Sequence, residues 1–311
     1  MATGTHTAIF SRKQAGGGFS VENMDISTGA RFYVGSTVTA AADNLGAGHS
    51  PDTPCATIDY AIGLCTASQG DIIYVMPGHI ENVIAATGIN CDVAGISIIG
   101  LGHGNMLPTI TFTAAAGSVT VSQANVTIKN IRFVANFETG VTTGFTIAAG
   151  GDGLTLDGLQ FRDTSATFEF LIHASIATTV TDLTIKNCRF IGAAGTLSGS
   201  LVFAGSTNNA EICNNYWYVD SSNSVIMHDA AAAVGMNLHD NCIINYDTDT
   251  AEYCAEFSTG STGVASDNRF GYNHVDAEMW KGDAMFWFEN YMSNTIAETG
   301  VVDPATTHAI P

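Results

Sequence analysis

Asp247-Thr248-Asp249 followed by Glu252 is the stretch of this chain nearest to metal chemistry, an acidic run with some of the hard-oxygen character of a calcium loop. It lacks the glycine and the distant Glu of an EF-hand, so a solvated loop is the expectation. Nine histidines are scattered without His-x-His or His-Glu-x-x-His spacing, which leaves zinc unsupported. His228-Asp229 and His239-Asp240 read as adjacent pairs only, because Asp240 has a backbone role of its own. Seven cysteines (55, 65, 91, 188, 213, 242 and 254) form no CxxC pair and are odd in number. Reduced, structural thiols made in the cytosol are expected, with Cys188 packing as a small apolar side chain. No Gly-x-Ser-x-Gly elbow, phosphate-binding loop or dinucleotide fingerprint is present. A glycosidase needs only two suitably spaced carboxylates, so that chemistry stays open. The expectation is nonetheless no catalytic, cofactor-binding or metal-ligating residue and no cofactor.

What must position any such residues is a repeat. Gly100, Asn130, Gly158, Asn187, Asn214, Asp240 and Asp267 recur every 26 to 30 residues. Two residues before each stands an apolar residue: Ile98, Ile128, Leu156, Ile185, Ile212, Leu238 and Ala265. Three residues after comes a mostly aromatic column: His103, Phe133, Phe161, Phe190, Trp217, Ile243 and Phe270. Strict strand alternation through Ile128-Lys129-Asn130-Ile131-Arg132-Phe133 would turn Ile131 and Phe133 to solvent. A one-residue corner at Asn130 turns Ile128, Ile131 and Phe133 inward together. Such a corner needs left-handed backbone, which Gly, Asn and Asp tolerate best. Strand, corner and strand at this period describe one coil of a parallel β-helix, and seven coils make a rod roughly 35 Å long before its caps. The hand is expected to be right, as for parallel crossovers generally. The hexapeptide rhythm of left-handed β-helices and the Leu-rich consensus of leucine-rich repeats are both missing.

The fold class is therefore all-β, a right-handed single-stranded parallel β-helix (solenoid) with a short N-terminal capping helix. Residues 1–30 form an N-terminal arm, 31–70 a cap with the helix, 71–270 the β-helix, and 271–311 a C-terminal cap and tail. Thr53-Pro54 suits an N-cap and first helical position, and Ile58, Ala61, Ile62 and Cys65 would share one helical face. The arm carries Ile9, Phe10 and Phe19 as anchors and Arg12-Lys13, the one adjacent basic pair. It is either a disordered tail or a segment that orders against a partner.

Twenty-nine acids against ten bases give a formal charge of -19, which disfavours nucleic acid and acidic polysaccharide as partners. No apolar run approaches a membrane span, so no membrane partner is expected, and the start lacks the character of a secretion signal.

Ser50-Pro51-Asp52-Thr53-Pro54-Cys55-Ala56-Thr57-Ile58 and Gly70-Asp71-Ile72-Ile73-Tyr74-Val75-Met76-Pro77-Gly78-His79-Ile80 resemble the opening of pectin-lyase-like right-handed β-helix proteins. The resemblance covers roughly residues 31–270 and speaks to fold rather than activity. Enzymes of that fold use acidic clusters with nearby Arg or Lys. The Asn-Thr-Asp, Asp-Asp and Arg-Ile-Lys sequences of the polygalacturonase type are missing. Arg132, Gln160 and Arg189, beside Lys129, Asp157 and Lys186, read instead as an exposed charge ladder. Asp283-Ala284-Met285-Phe286-Trp287-Phe288-Glu289-Asn290-Tyr291 resembles the C-termini of β-helical virion proteins from tailed bacteriophages.

Outward positions carry charge in the early coils, but Cys213, Tyr216, His239 and Cys242 occupy them in the next two. Either a covering loop or a subunit interface, where charge is depleted and aromatics are enriched, would account for this, and these four are the candidate interface. With the phage resemblance this implies a homotrimeric capsid decoration (cement) protein, assembled in the host cytoplasm and located in the virion, with the major capsid protein as partner. The alternative is a tail spike or receptor-binding protein acting on host surface polysaccharide, with host glycan as its ligand.

Overall fold

The structure, a computed structural model, describes residues 10–14, 17–21, 29–177, 179–193, 195, 197–228, 230–247, 253–272, 280–282, 284–294 and 299–302. It is an all-β, right-handed parallel β-solenoid whose coils stack into three long sheets, here called faces 1, 2 and 3. Faces 1 and 2 hold ten strands each and face 3 holds eight. Face 1 begins with Arg31–Val34 paired to Ile72–Val75, and then runs in register through every later coil to Met285–Phe288. Face 2 runs from Ile80–Val83 to Asn290–Asn294, where an antiparallel strand, Thr299–Val302, closes it.

The expected inward column on face 1 is observed residue for residue. Ile98, Ile128, Leu156, Ile185, Ile212, Leu238 and Ala265 pair in one unbroken register and are all buried. On face 2 the Phe133, Phe161, Phe190, Trp217, Ile243, Phe270 column is likewise in register. Its middle is a column of stacked rings, with centroids 5.4 Å apart for Phe133–Phe161, 4.9 Å for Phe161–Phe190 and 4.8 Å for Phe190–Trp217. Each buried ring contributes about 1.5–3 kcal/mol through burial and each contact up to about 1.5 kcal/mol more.

Six of the seven expected corners have left-handed backbone: Asn130, Gly158, Asn187, Asn214, Asp240 and Asp267, with φ from 55° to 67°. Gly100 does not. It is the last residue of the strand Ser97–Gly100, and its coil turns later, at Gly102 with φ 97°, before a short 3-10 turn over Gly104–Met106. Glycine is needed at Gly100 for another reason: a Cβ there would collide with the backbone carbonyl of Asn130. The same insertion displaces His103, which is exposed, so Ile110 fills the place opposite Phe133. One further corner has no signal of the expected kind, Glu289 with φ 54°.

A second left-handed ladder, not anticipated, enters face 1: Gly70, Gly95, Asn125, Gly153, Asp182, Asn209 and Gly235. Backbone bonds such as Asn125 N–H to Asp152 O at 2.7 Å and Gly153 N–H to Thr181 O at 2.8 Å tie its rungs.

The helix α1 spans Ile58–Leu64, four residues later than Thr53-Pro54 implies. Cys55 is held extended beside the first strand by bonds to Tyr33 and Gly35, which postpones the helix to its true N-cap, Thr57. Ile58, Ala61 and Ile62 are buried as expected. Glu81 accepts from Ile58 N–H and Asp59 from Asn90 N–H, pinning α1 over the open end of the coils. In the N-terminal segment Phe10–Gln14 and Gly17–Val21 pair as an antiparallel hairpin, with Arg12 opposite Phe19 and Lys13 opposite Gly18. Phe10, Arg12, Lys13 and Phe19 lie on this hairpin; Ile9 lies outside the described residues.

Candidate functional site

The chemistry-bearing side chains gather on the ridge where face 1 turns into face 2. Strand alternation directs Glu211 and Cys213 outward from the strand Glu211–Cys213, and register sets His239 of the next coil beside Cys213. One ligand atom each of Glu211, Cys213 and His239 lies within 4.8 Å of the others. His239 Nε2 stands 3.4 Å from Glu211 Oε1, and its Nδ1 stands 2.8 Å from Asp240 Oδ2. Asp240 is thus both a corner and the orienting partner of its neighbouring imidazole, more than an adjacent pair. Partial burial opposes charge on His239, yet the bonds and charges of Asp240 and Glu211 outweigh it and hold the imidazole above its ordinary pKa. Burial, followed by the Glu211 charge, raises the Cys213 thiol, while a side-chain hydrogen bond from Asn214 and the Lys186 charge act against this.

Tyr216 and Cys242 pair on the other side of the same ridge, on face 2. The four expected interface residues are therefore neighbours, although Cys213 is only 5% exposed. The ridge is not free of charge: Asp240, Asp267 and Glu289 are exposed on the corner itself, because left-handed backbone aims the corner side chain at solvent. The larger apolar exposure is on the last coil, where Phe286, Phe288 and Tyr291 are 72%, 43% and 53% exposed. In the expected charge ladder Lys129 meets Asp157 at 3.3 Å, Arg132 reaches Gly104 O at 2.9 Å, and Arg189 lies 5.5 Å over the Tyr216 ring.

A second cluster lies where face 2 leaves for face 3. Burial pushes the Asp163 carboxyl up to about 7, against the opposing bonds from Phe170 and Ala193 N–H and with help from the Glu169 charge. Glu169 is 4% exposed and fits only because Gly195 has no side chain there. Tyr218 and Tyr246 pack nearby with tilted rings, centroids 4.6 Å apart, and burial followed by the Asp220 charge raises Tyr246 to about 12. Both Asp163 oxygens are occupied by backbone N–H groups of two successive coils, at 2.9 and 3.0 Å, so the group works as a staple between turns.

Inside the rod, Asn215, Asn241, Asn268 and Asn290 form a buried amide ladder in the column that Ile131, Leu159 and Cys188 occupy earlier. Each side-chain oxygen accepts the backbone N–H of the preceding coil, at 2.8 to 3.1 Å. Each amide nitrogen donates to a face 1 carbonyl, at 2.8 to 2.9 Å. Its signal in the sequence is an Asn immediately after three of the expected corners, Asn214, Asp240 and Asp267; the fourth, Asn290, follows Glu289. The seven cysteines are free thiols. Asp247 is buried at the start of the acidic run, whose remaining residues, 248–252, lie outside the described residues. Among the described residues no helix is long and apolar enough to cross a membrane. No protein-family model and no curated protein sequence matches this chain.

Proposed function

We propose that this chain is a structural component of a tailed-phage virion, a homotrimeric capsid decoration (cement) protein that binds the major capsid protein. The observation that carries an assembly role is the aromatic set Phe286, Phe288 and Tyr291, presented on the last coil of a rigid rod. Three large exposed rings on one coil suit a protein contact. The phage assignment rests on the resemblance of that same C-terminal segment to β-helical virion proteins. In this reading the rod bridges neighbouring capsid subunits, and its net negative charge keeps the outer surface soluble. The deciding measurement is copy number in purified particles by quantitative mass spectrometry. A value comparable to the major capsid protein supports a shell component, and a few copies per particle overturns it. Sedimentation as a monomer at virion-like ionic strength would remove the trimer.

One observation favours a second reading, a tail spike that cleaves host surface polysaccharide. Asp163 carries its proton near neutral pH beside a second buried carboxylate, the pairing that glycoside hydrolysis uses. Occupation of both Asp163 oxygens by backbone donors ranks it second. Release of oligosaccharides from host glycan, lost in Asp163→Asn and Glu169→Gln, would reverse the order.

A further inference from the structure

We propose that Glu211, Cys213 and His239 form a binding site for one zinc ion, clamping two successive coils of the rod. Three donors of different chemistry converge there: a thiol sulfur, an imidazole nitrogen and a carboxylate oxygen. Tetrahedral zinc, with bonds of about 2.0–2.3 Å, requires ligand atoms roughly 3.3–3.8 Å apart. The 3.4 Å between His239 Nε2 and Glu211 Oε1 already meets this, and all three ligand atoms lie within 4.8 Å of one another. Side-chain rotations of about an ångström close the set, with no change in the paired strands that carry Cys213 and His239.

An independent feature points the same way. The Asp240 carboxylate holds His239 Nδ1 at 2.8 Å, which fixes the ring and directs Nε2 at the other two donors. A carboxylate on the far nitrogen of a metal-binding histidine is the usual outer partner at zinc centres. One sulfur among the donors favours zinc over calcium or magnesium, which take oxygen ligands. Binding releases the Cys213 thiol proton to solvent and leaves thiolate on the metal. Glu211 and His239 are partly exposed, so the fourth position opens to solvent. Water fills it in the isolated chain.

The test is titration of the full chain with Co2+ as a spectroscopic probe and with Zn2+ in competition. One equivalent of Co2+ should give thiolate-to-metal charge-transfer absorption, which Zn2+ abolishes. Cys213→Ser should remove that band, and His239→Gln, at a partly exposed position, should weaken Zn2+ binding at least tenfold. Asp240→Asn is the sharper variant, because Asn suits the same left-handed corner at Asn130, Asn187 and Asn214. Its affinity should fall about tenfold with the fold unchanged. Asp267→Asn, one coil further along, should leave affinity as it is. Absence of the charge-transfer band in the folded parent, or equal zinc affinity in parent and His239→Gln, overturns the site.

Discussion

Removing the side-chain amide of Asn241 should destabilise the rod by about 4–6 kcal/mol, because the amide sits between those of Asn215 and Asn268 in the buried ladder. Its Oδ1 accepts Asn215 N–H at 3.0 Å and Asn215 Nδ2 at 3.1 Å, and its Nδ2 donates to Ile212 O at 2.8 Å and Asn268 Oδ1 at 2.9 Å. In Asn241→Ala the Asn215 amide side chain keeps its bond to Ile185 O, and Asn268 Oδ1 keeps Asn241 N–H. The backbone N–H of Asn215, in a residue 2% exposed, loses the acceptor that holds it across the coils. That orphan costs about 1–3 kcal/mol, and the remaining lost bonds about 1 kcal/mol each. Urea unfolding followed by tryptophan fluorescence reads the difference directly, because Trp217 lies in the adjoining coils. Asn237→Ala, exposed on the same coil, should stay within about 0.5 kcal/mol of the parent. A loss below about 1 kcal/mol in Asn241→Ala would refute the ladder as a structural element.

Backbone strain separates two glycines: a Cβ at Gly158 meets only an ordinary contact, Asn130 N at 4.0 Å, so Gly158→Ala should cost about 1–2 kcal/mol for its φ of 67° alone, read from the urea midpoint. Gly100→Ala should cost more than that, since its Cβ must displace the Asn130 backbone; equal losses would restore Gly100 to the corner ladder. Asp163 and His173 should impose opposite pH dependences on stability. Native Asp163 keeps its proton to about pH 7 and the unfolded chain releases it near 4, so this group makes stability fall as pH rises across that window. Burial lowers His173 to about 3, so the unfolded chain protonates first and stability falls as pH drops below about 6.5. Asp163→Asn should therefore make stability relative to the parent decline on acidification by about 1.4 kcal/mol per pH unit between about 6.5 and 4.5; parallel curves would show that Asp163 ionises normally. On the proposed capsid reading, deleting residues 1–30 should abolish attachment in a particle-binding assay while circular dichroism stays β-rich, and unchanged attachment would rule out the N-terminal segment as a capsid contact.

How far these features could be read from sequence depends on whether they are local. Left-handed backbone restricts a corner to very few residue types, and that restriction made Asn130 through Asp267 visible. Glu289 escaped because glutamate gives no such signal. Gly100 deceived because a glycine required for close approach looks the same as one required for φ. The second ladder, from Gly70 to Gly235, uses the same residue set at the same period, but no aromatic column follows it to draw attention. Glu211, Cys213 and His239 show no ligand spacing at all, since the register of two coils brings them together and only the stacked structure supplies it. Asp163 is similar: its acceptor role joins Phe170 and Ala193 in different coils.

The tight corner also decides where the rod can change. In the middle coils strands end at Lys129, Lys186, Cys213 and His239 and resume at Arg132, Arg189, Tyr216 and Cys242, each time with two residues between them. A longer connection is accommodated there only by a loop with structure of its own, as between Gly100 and Thr109, where a 3-10 turn intervenes and Ile110 still pairs with Phe133. The opposite connection, from face 2 to face 3, varies freely: Val83 to Ile89 on one coil, Asp163 to Ala174 on another. From Lys129 to Arg269 one edge of the molecule thus keeps a constant two-residue corner, while the other accepts loops of new size and sequence without disturbing the stack. Divergence among proteins built this way should accumulate on the loop edge, and engineered peptides belong there too.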